Sequence, residues 1–171
     1  FGNPFLGSIH GYKFEDLNAN AADDTEPRLP GVEITLTGTD GMGNTVFATT
    51  TTDANGEYAF TGLMPGDYTV TETPPAGSVP TTADTYTVTV ESRQELVALP
   101  GQAQIPAGDP RIEVVQAFPT LVFGNTFLGS IHGYKFEDLN GNGVDDTDPR
   151  LPGVEITLTG TDGMGNTVFA T

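Results

Sequence analysis

Apolar and polar residues alternate along most of this chain with a period of two, the spacing of a half-buried β-strand. Residues 8–14 form the first such stretch, with His10, Tyr12 and Phe14 on one face and Lys13 opposite Tyr12 and Phe14. In residues 32–36, Val32, Ile34 and Leu36 point inward. Residues 45–52 are rich in β-branched side chains, which favour strands. Asp53-Ala54-Asn55-Gly56 is a hairpin turn signal, and residues 57–60 follow with Tyr58 and Phe60 as anchors. Tyr68 and Val70 face inward from residues 66–73, and Tyr86, Val88 and Val90 mark a sixth strand. A last strand falls within residues 113–123, its end at 120–125. Seven short strands joined by turns predict an all-β sandwich. Residues 100–110, rich in Pro, Gly and Ala, read as a long exposed loop.

The same pattern returns. Residues 123–171 repeat residues 1–49 at an offset of 122, with differences at only 5 of 49 positions: Pro4/Thr126, Ala19/Gly141, Ala21/Gly143, Ala22/Val144 and Glu26/Asp148. A period of that size is one sandwich domain. We expect residues 1–3 to be the tail strand of a preceding unit, 4–125 a complete repeat, and 126–171 the first third of the next. On this reading the chain is a window cut from a longer array. The last strand of one unit would run straight into the next unit's first strand, residues 128–136, with no flexible linker, as in a stiff rod.

Composition narrows the function. The chain carries 23 acidic against 6 basic residues, a net charge of −17. Such a chain does not seek phosphate backbones or anionic membrane surfaces, so neither nucleic acid nor membrane insertion is expected. There is no cysteine and hence no disulfide staple. The single histidine position of each unit, His10 and His132, lies on an alternating strand and reads as a packed residue. No nucleophile–base–acid set, phosphate loop or zinc spacing appears, so no enzyme is expected.

One loop carries chemistry. Asp138, Asn140, Asn142, Asp146 and Asp148 place side-chain oxygens at loop positions 1, 3, 5, 9 and 11, and Val144 would offer its backbone carbonyl at position 7. The matching set in the first copy is Asp16, Asn18, Asn20, Asp24 and Glu26, with Ala22 at position 7. Alternating oxygens in a tight loop suit Ca2+. The alternative is an Asn/Asp/Gly-rich turn without metal. The loop departs from an EF-hand in placing its last acid at 11 and a proline at 12. Ala21 stands where the sharp turn calls for glycine, so the first site should be the weaker. Asp53, Asn55 and Glu57 read as a hairpin turn, and residues 40–44 as a plain loop.

The order G-S-I-H-G-Y-K-F-E-D, L-N-x-N-x-x-x-D, P-G-V-E-I-T-L-T, T-T-T-D-A-N-G-E-Y-A-F-T-G-L, P-G-D-Y-T-V-T-E-T-P-P-A-G and V-F-G-N resembles the B-type repeat domain of serine-aspartate-repeat adhesins, related to the collagen-adhesin B-type (prealbumin-like) sandwich. The resemblance covers the unit except residues 92–118. It implies a seven-stranded Greek-key (immunoglobulin/prealbumin-like) sandwich in tandem repeats, an extracellular or cell-surface location, calcium in the first loop, and no catalysis. Related pilin-type domains also join a lysine to an asparagine in an internal isopeptide bond, helped by a buried acid. The resemblance points to Lys13, Glu72 and Asn125 for these roles. The plain alternative is a surface lysine, a turn-capping glutamate and a strand-ending asparagine.

The expected function is a structural repeat of an extracellular rod or filament, rigidified by calcium. Its partners would be neighbouring repeats and laterally packed copies, through segments such as 96–105 or 114–122. Other readings are a stalk or ligand-binding module of an adhesin, or a carbohydrate-binding module, for which a chain without tryptophan offers a poor platform.

Overall fold

The structure, a computed structural model, describes residues 4–93, 95–97, 115–117 and 121–171. The expected tail at 1–3, the loop at 100–110 and most of the proposed lateral segments lie outside them. The chain divides into two units, Phe1–Phe127 and Leu128–Thr171.

The first unit is a sandwich of two sheets. Ten strands are described in it: β1 (Gly7–Glu15), β2 (Glu33–Asp40), β3 (Thr45–Thr51), β4 (Glu57–Leu63), β5 (Gly66–Glu72), β6 (Ser78–Pro80), β7 (Thr85–Val90), β8 (Glu95–Val97), β9 (Val115–Ala117) and β10 (Val122–Phe127). The expected segment 113–123 holds the three-residue β9 as well as the start of β10, and β6 and β8, also three residues long, lie beyond the expected strands. Strands that short hold too few residues for a period to show. The last long strand runs to Phe127 rather than ending at 125.

One sheet is antiparallel throughout, in the order β3-β2-β5-β7. The other is built around β1. Along one edge β1 pairs antiparallel with β4; along the other it pairs parallel with β8 at Ser8–His10 and with β10 at Tyr12–Glu15. β6 extends this sheet beyond β10. The first and last long strands of the unit are thus hydrogen-bonded neighbours running in the same direction.

The core lies between the sheets. Ile9, Tyr58, Phe60, Leu121 and Phe123 meet Ile34, Leu36, Tyr68, Val70, Val88 and Val90, all at most 5% exposed. Burying side chains of this size contributes about 1.5–3 kcal/mol each. Gly11 sits where β1, β4 and β10 crowd together. A side chain there would overlap the Leu121 carbonyl oxygen and the Tyr58 hydroxyl. Tyr58 donates to that same carbonyl at 3.1 Å, and Tyr86 to the Val122 carbonyl at 3.0 Å, pinning the start of β10.

The second unit contains one described hairpin, β11 (Leu158–Thr161) with β12 (Thr167–Ala170), and an isolated bridge between Phe136 and Arg150. The expected strand at 128–136 is not formed. Ile131, Tyr134, Val154, Ile156 and Leu158 are exposed, although their counterparts Ile9, Tyr12, Val32, Ile34 and Leu36 form the first unit's core. Residues 128–171 hold no counterparts of β4, β5, β7 and β10, which pair with β1 and β2 or cover this core in the first unit, and this explains the difference.

Candidate functional site

Lys13, an ionisable group, has no exposed surface. The pattern of β1 explains this. Ile9, Gly11 and Lys13 share the face turned toward the second sheet, so the inward face is the one opposite His10, Tyr12 and Phe14. The expectation of a surface lysine is thereby corrected. Tyr12 and Phe14 are buried too, because the segment after β1 folds back over them. The Arg28 guanidinium lies 4.1 Å from the centre of the Tyr12 ring, and Arg28 bridges to Phe14 through the backbone.

Two more polar residues reach the same layer by the same period. Tyr68 and Val70 point inward from β5, and so does Glu72, which is 3% exposed rather than capping a turn. Leu121 and Phe123 point inward, and so does the fully buried Asn125. Each of the three strands therefore ends its apolar run with one polar residue, and the three meet. Lys13 Nζ donates to Asn125 Oδ1 at 2.8 Å and lies 3.2 Å from Glu72 Oε2. Lys13 and Asn125 are 112 residues apart in sequence. Backbone bonds tie the same place together: Asp16 N–H donates to the Asn125 carbonyl at 2.8 Å, and Lys13 N–H to that of Gly56 at 2.8 Å. Ser78, absent from the sequence reading, accepts from Asn125 Nδ2 at 3.0 Å.

Burial governs the protons. It lowers Lys13 to about 8, against the opposing pull of the Glu72 carboxylate. It raises Glu72 above the usual carboxylate range, with Lys13 again opposing. Neither Glu72 oxygen has a hydrogen bond of good geometry. Both shifts move the pair toward a neutral amine beside a protonated acid, and at about 8 a minor fraction of Lys13 is neutral at neutral pH. In that neutral fraction the amine has a free lone pair, and it lies against the Asn125 carboxamide.

The predicted loop residues also gather. Asp16 is fully buried and accepts from the Asn20 and Ala21 amides at 3.1 and 2.8 Å. Asn18 accepts from Asn20 N–H, and Asn20 from Ala22 N–H. Asn20 Nδ2 donates to Asp24 at 2.7 Å, and Glu26 Oε1 accepts from Leu17 N–H at 2.8 Å. In the second copy Asp138 accepts from Gly141, Asn142 and Gly143, while Asn140 and Asn142 donate to Asp146. Those backbone donors, Gly143 first, hold Asp138 below the usual carboxylate range. Among the described residues no three His, Cys, Asp or Glu side chains cluster closely enough to hold a metal by themselves. A cation here would draw on the asparagines as well. One atom in each copy fits it: Glu26 Oε2 and Asp148 Oδ2, at the same loop position, are buried carboxylate oxygens without a hydrogen-bond partner. Asp53 closes its hairpin by accepting from Asn55 and Glu57, and Asp40 does the same for Met42 and Asn44.

Residues 7–97, more than half of the chain, match the family described as SdrD B-like domain. The chain belongs to the SdrD B-like domain family. It is 34% identical over 167 residues to serine-aspartate repeat-containing protein F of Staphylococcus epidermidis, covering 94% of this chain and 9% of that protein. It is 35% identical over 159 residues to Colossin-A of Dictyostelium discoideum, covering 92% of this chain and 1% of that protein. Over 75 residues it is 44% identical to the bone sialoprotein-binding protein of Staphylococcus aureus, covering 43% and 6%. The chain thus spans under a tenth of each relative. Among solved structures, it is similar to GBS52, the minor pilin of Streptococcus agalactiae, at 16% identity and a TM-score of 0.46, covering 76% of this chain and 48% of that one. For the major pilin SpaD of Corynebacterium diphtheriae the values are 19%, 0.40, 73% and 30%. As an SdrD B-like domain the chain is an adhesin-type, cell-surface β-sandwich with a structural or stalk role. No helix among its described residues is long and apolar enough to cross a membrane.

The backbone separates the two acidic loops. Ala19 and Ala21 hold φ of 57° and 62°, where the second copy has Gly141 and Gly143 at 72° and 77°. Only the strain at Ala21 was read from the sequence. A left-handed conformation costs a residue with a Cβ roughly 1–2 kcal/mol, partly offset by the extra freedom glycine gives the unfolded chain. Ala19→Gly and Ala21→Gly should each raise the stability of the first unit by about 0.5–1 kcal/mol. The check is the denaturation midpoint of the double variant; an unchanged or lower midpoint contradicts the assignment of strain.

Proposed function

We propose that the unit is a structural repeat of an extracellular rod or filament, non-catalytic toward other molecules. A covalent amide between Lys13 and Asn125 locks it, and calcium in the loop from Asp16 to Glu26 stiffens it. The observation that carries this reading is the dry contact of Lys13 Nζ with the Asn125 carboxamide beside Glu72. Neighbouring repeats and laterally packed copies of the same protein are its partners on this reading.

The chemistry balances without a co-reactant. The neutral Lys13 amine attacks Asn125 Cγ, and charge builds on Oδ1, where a protonated Glu72 stabilises it. The Nζ–Cγ bond forms and the Cγ–Nδ2 bond breaks. One proton leaves Nζ, is carried across by Glu72 and ends on the departing nitrogen, which leaves as ammonia. Near-contact geometry replaces the external catalyst, since the fold holds both reactants at effective concentrations far above any in solution. The product also removes a buried ionisable amine from the core.

Calcium fits the second site through its all-oxygen donors: Asp16, Asn18, Asn20, Asp24 and Glu26, with the Ala22 carbonyl as the backbone ligand. In the other copy these are Asp138, Asn140, Asn142, Asp146 and Asp148, with Val144. A bound cation would neutralise repulsion among the carboxylates and fix the crossing from β1 to β2.

Two measurements test the two parts. The intact mass of the full chain should be lower than the sequence mass by one ammonia, because the chain holds one complete Lys13–Glu72–Asn125 set. Lys13→Met and Glu72→Gln should restore the full mass. A wild-type chain at full mass overturns the covalent lock. Thermal unfolding of the full chain should shift upward in calcium relative to chelator, by about 2.7 kcal/mol of stability at a hundredfold excess over the dissociation constant. Asp24→Ala with Asp146→Ala should abolish the shift, and no shift in the wild type would make the loops plain polar turns.

A further inference from the structure

A carboxamide can present either its oxygen or its nitrogen to a neighbour, and only one choice allows the attack described above. With Nδ2 turned toward Lys13, two nitrogens carrying hydrogens would face each other and the 2.8 Å bond from Lys13 Nζ to Oδ1 would be lost. Ser78 decides between the two. It opens the short strand β6, which pairs antiparallel with β10 beside Asn125. Its hydroxyl donates to the Pro75 carbonyl at 2.8 Å, and its backbone N–H donates to the same carbonyl at 3.1 Å. That carbonyl closes the turn from Pro75 to Ser78, in which Gly77 takes a φ of 79°. With its only proton committed to Pro75, Ser78 Oγ can only accept. It accepts from Asn125 Nδ2 at 3.0 Å.

We infer that Ser78 is a specific participant in bond formation: it orients the Asn125 carboxamide for attack by Lys13 and is the first hydrogen-bond acceptor of the departing ammonia. This rests on the covalent lock proposed above. Lys13 and Ser78 grip opposite ends of the amide group, so its plane and its sense are both fixed before reaction. Placement suits the exit as well. Ser78, Val79 and Pro80 are partly exposed whereas Lys13 is not. The leaving nitrogen therefore points toward the side of the sandwich from which ammonia can reach water, and the attacking amine stays dry.

The test follows bond formation in time by the intact mass of the full chain made by cell-free synthesis and sampled during a chase. Folding of each variant is followed separately by far-ultraviolet circular dichroism. Ser78→Ala and the near-isosteric Ser78→Cys, a weak acceptor, should fold like the wild type yet lose ammonia more slowly, on the order of ten-fold, because the carboxamide is free to turn. Ser78→Thr keeps the hydroxyl and should restore the rate. If the wild type loses ammonia and the alanine and cysteine variants lose it equally fast, Ser78 has no such role. Slowing in the threonine variant equal to that in alanine would likewise reduce Ser78 to a packing position. A wild type that never loses ammonia defeats the covalent lock itself, and Ser78 with it.

Discussion

A primary amine without access to water sits between the two sheets of this sandwich, and much of the surrounding structure serves to keep it there. Lys13 needs polar neighbours, and it has two: the oxygen of Asn125, which accepts its hydrogen bond, and the carboxyl of Glu72, 3.2 Å away. Satisfying it requires three distant parts of the sequence to end in one layer. That in turn requires β1 and β10 to lie side by side and parallel, with β5 facing them from the other sheet. The close packing at Gly11 and the two tyrosine hydroxyls that grip the carbonyls of Leu121 and Val122 fix the register on which this depends. A slip of one residue in β10 would turn Asn125 outward and leave a buried amine unpaired, at a cost far above that of an ordinary packing fault.

Period two made most of the first unit legible. The seven longer strands follow from alternation, and the core residues Ile34, Leu36, Tyr58, Phe60, Tyr68, Val70, Val88 and Val90 follow with them. The three polar members of the buried layer obey the same rule. Each stands two residues beyond an inward-facing position: Lys13 after Gly11, Glu72 after Val70, Asn125 after Phe123. The resemblance singled out all three, but alternation alone did not place Lys13 and Glu72 inside, since a lysine or glutamate in a strand ordinarily marks the wet face. On β1 the difficulty was greater, because Tyr12 and Phe14 are buried on the opposite side beneath the loop that carries Arg28. A strand covered on both faces gives no contrast from which to choose the inner one. Ser78 was invisible for another reason: its role depends on a turn that brings it beside β10, a contact 47 residues away in sequence.

The acidic loop and the buried layer are joined through a short stretch of backbone. Asp16 follows β1 by one residue, and its N–H is bonded to the Asn125 carbonyl. The loop therefore begins where the first and last strands are fastened together. Its spacing of oxygens was evident in the sequence because Asp and Asn recur at alternate positions there, a pattern that serves the loop's own backbone hydrogen bonds as well. The left-handed backbone at Ala19 was not, since only the fold shows which residues of a loop must turn that way. The second copy, with glycines at both places, takes the same turns without that strain.

The mechanical consequence of a Lys13–Asn125 bond gives the sharpest test of the whole account. Tension applied to the ends of the first unit would enter through β1 and leave through β10, so a bond between these strands would take the load and shield the 112-residue separation between them. The measurement is single-molecule extension of the full chain held by its ends, compared with Lys13→Met. The variant should release a step of roughly 370–400 Å, the extended length of that segment, and the wild type never should. A wild-type chain that unfolds with the same step would show that the first and last strands are held by packing and hydrogen bonds alone.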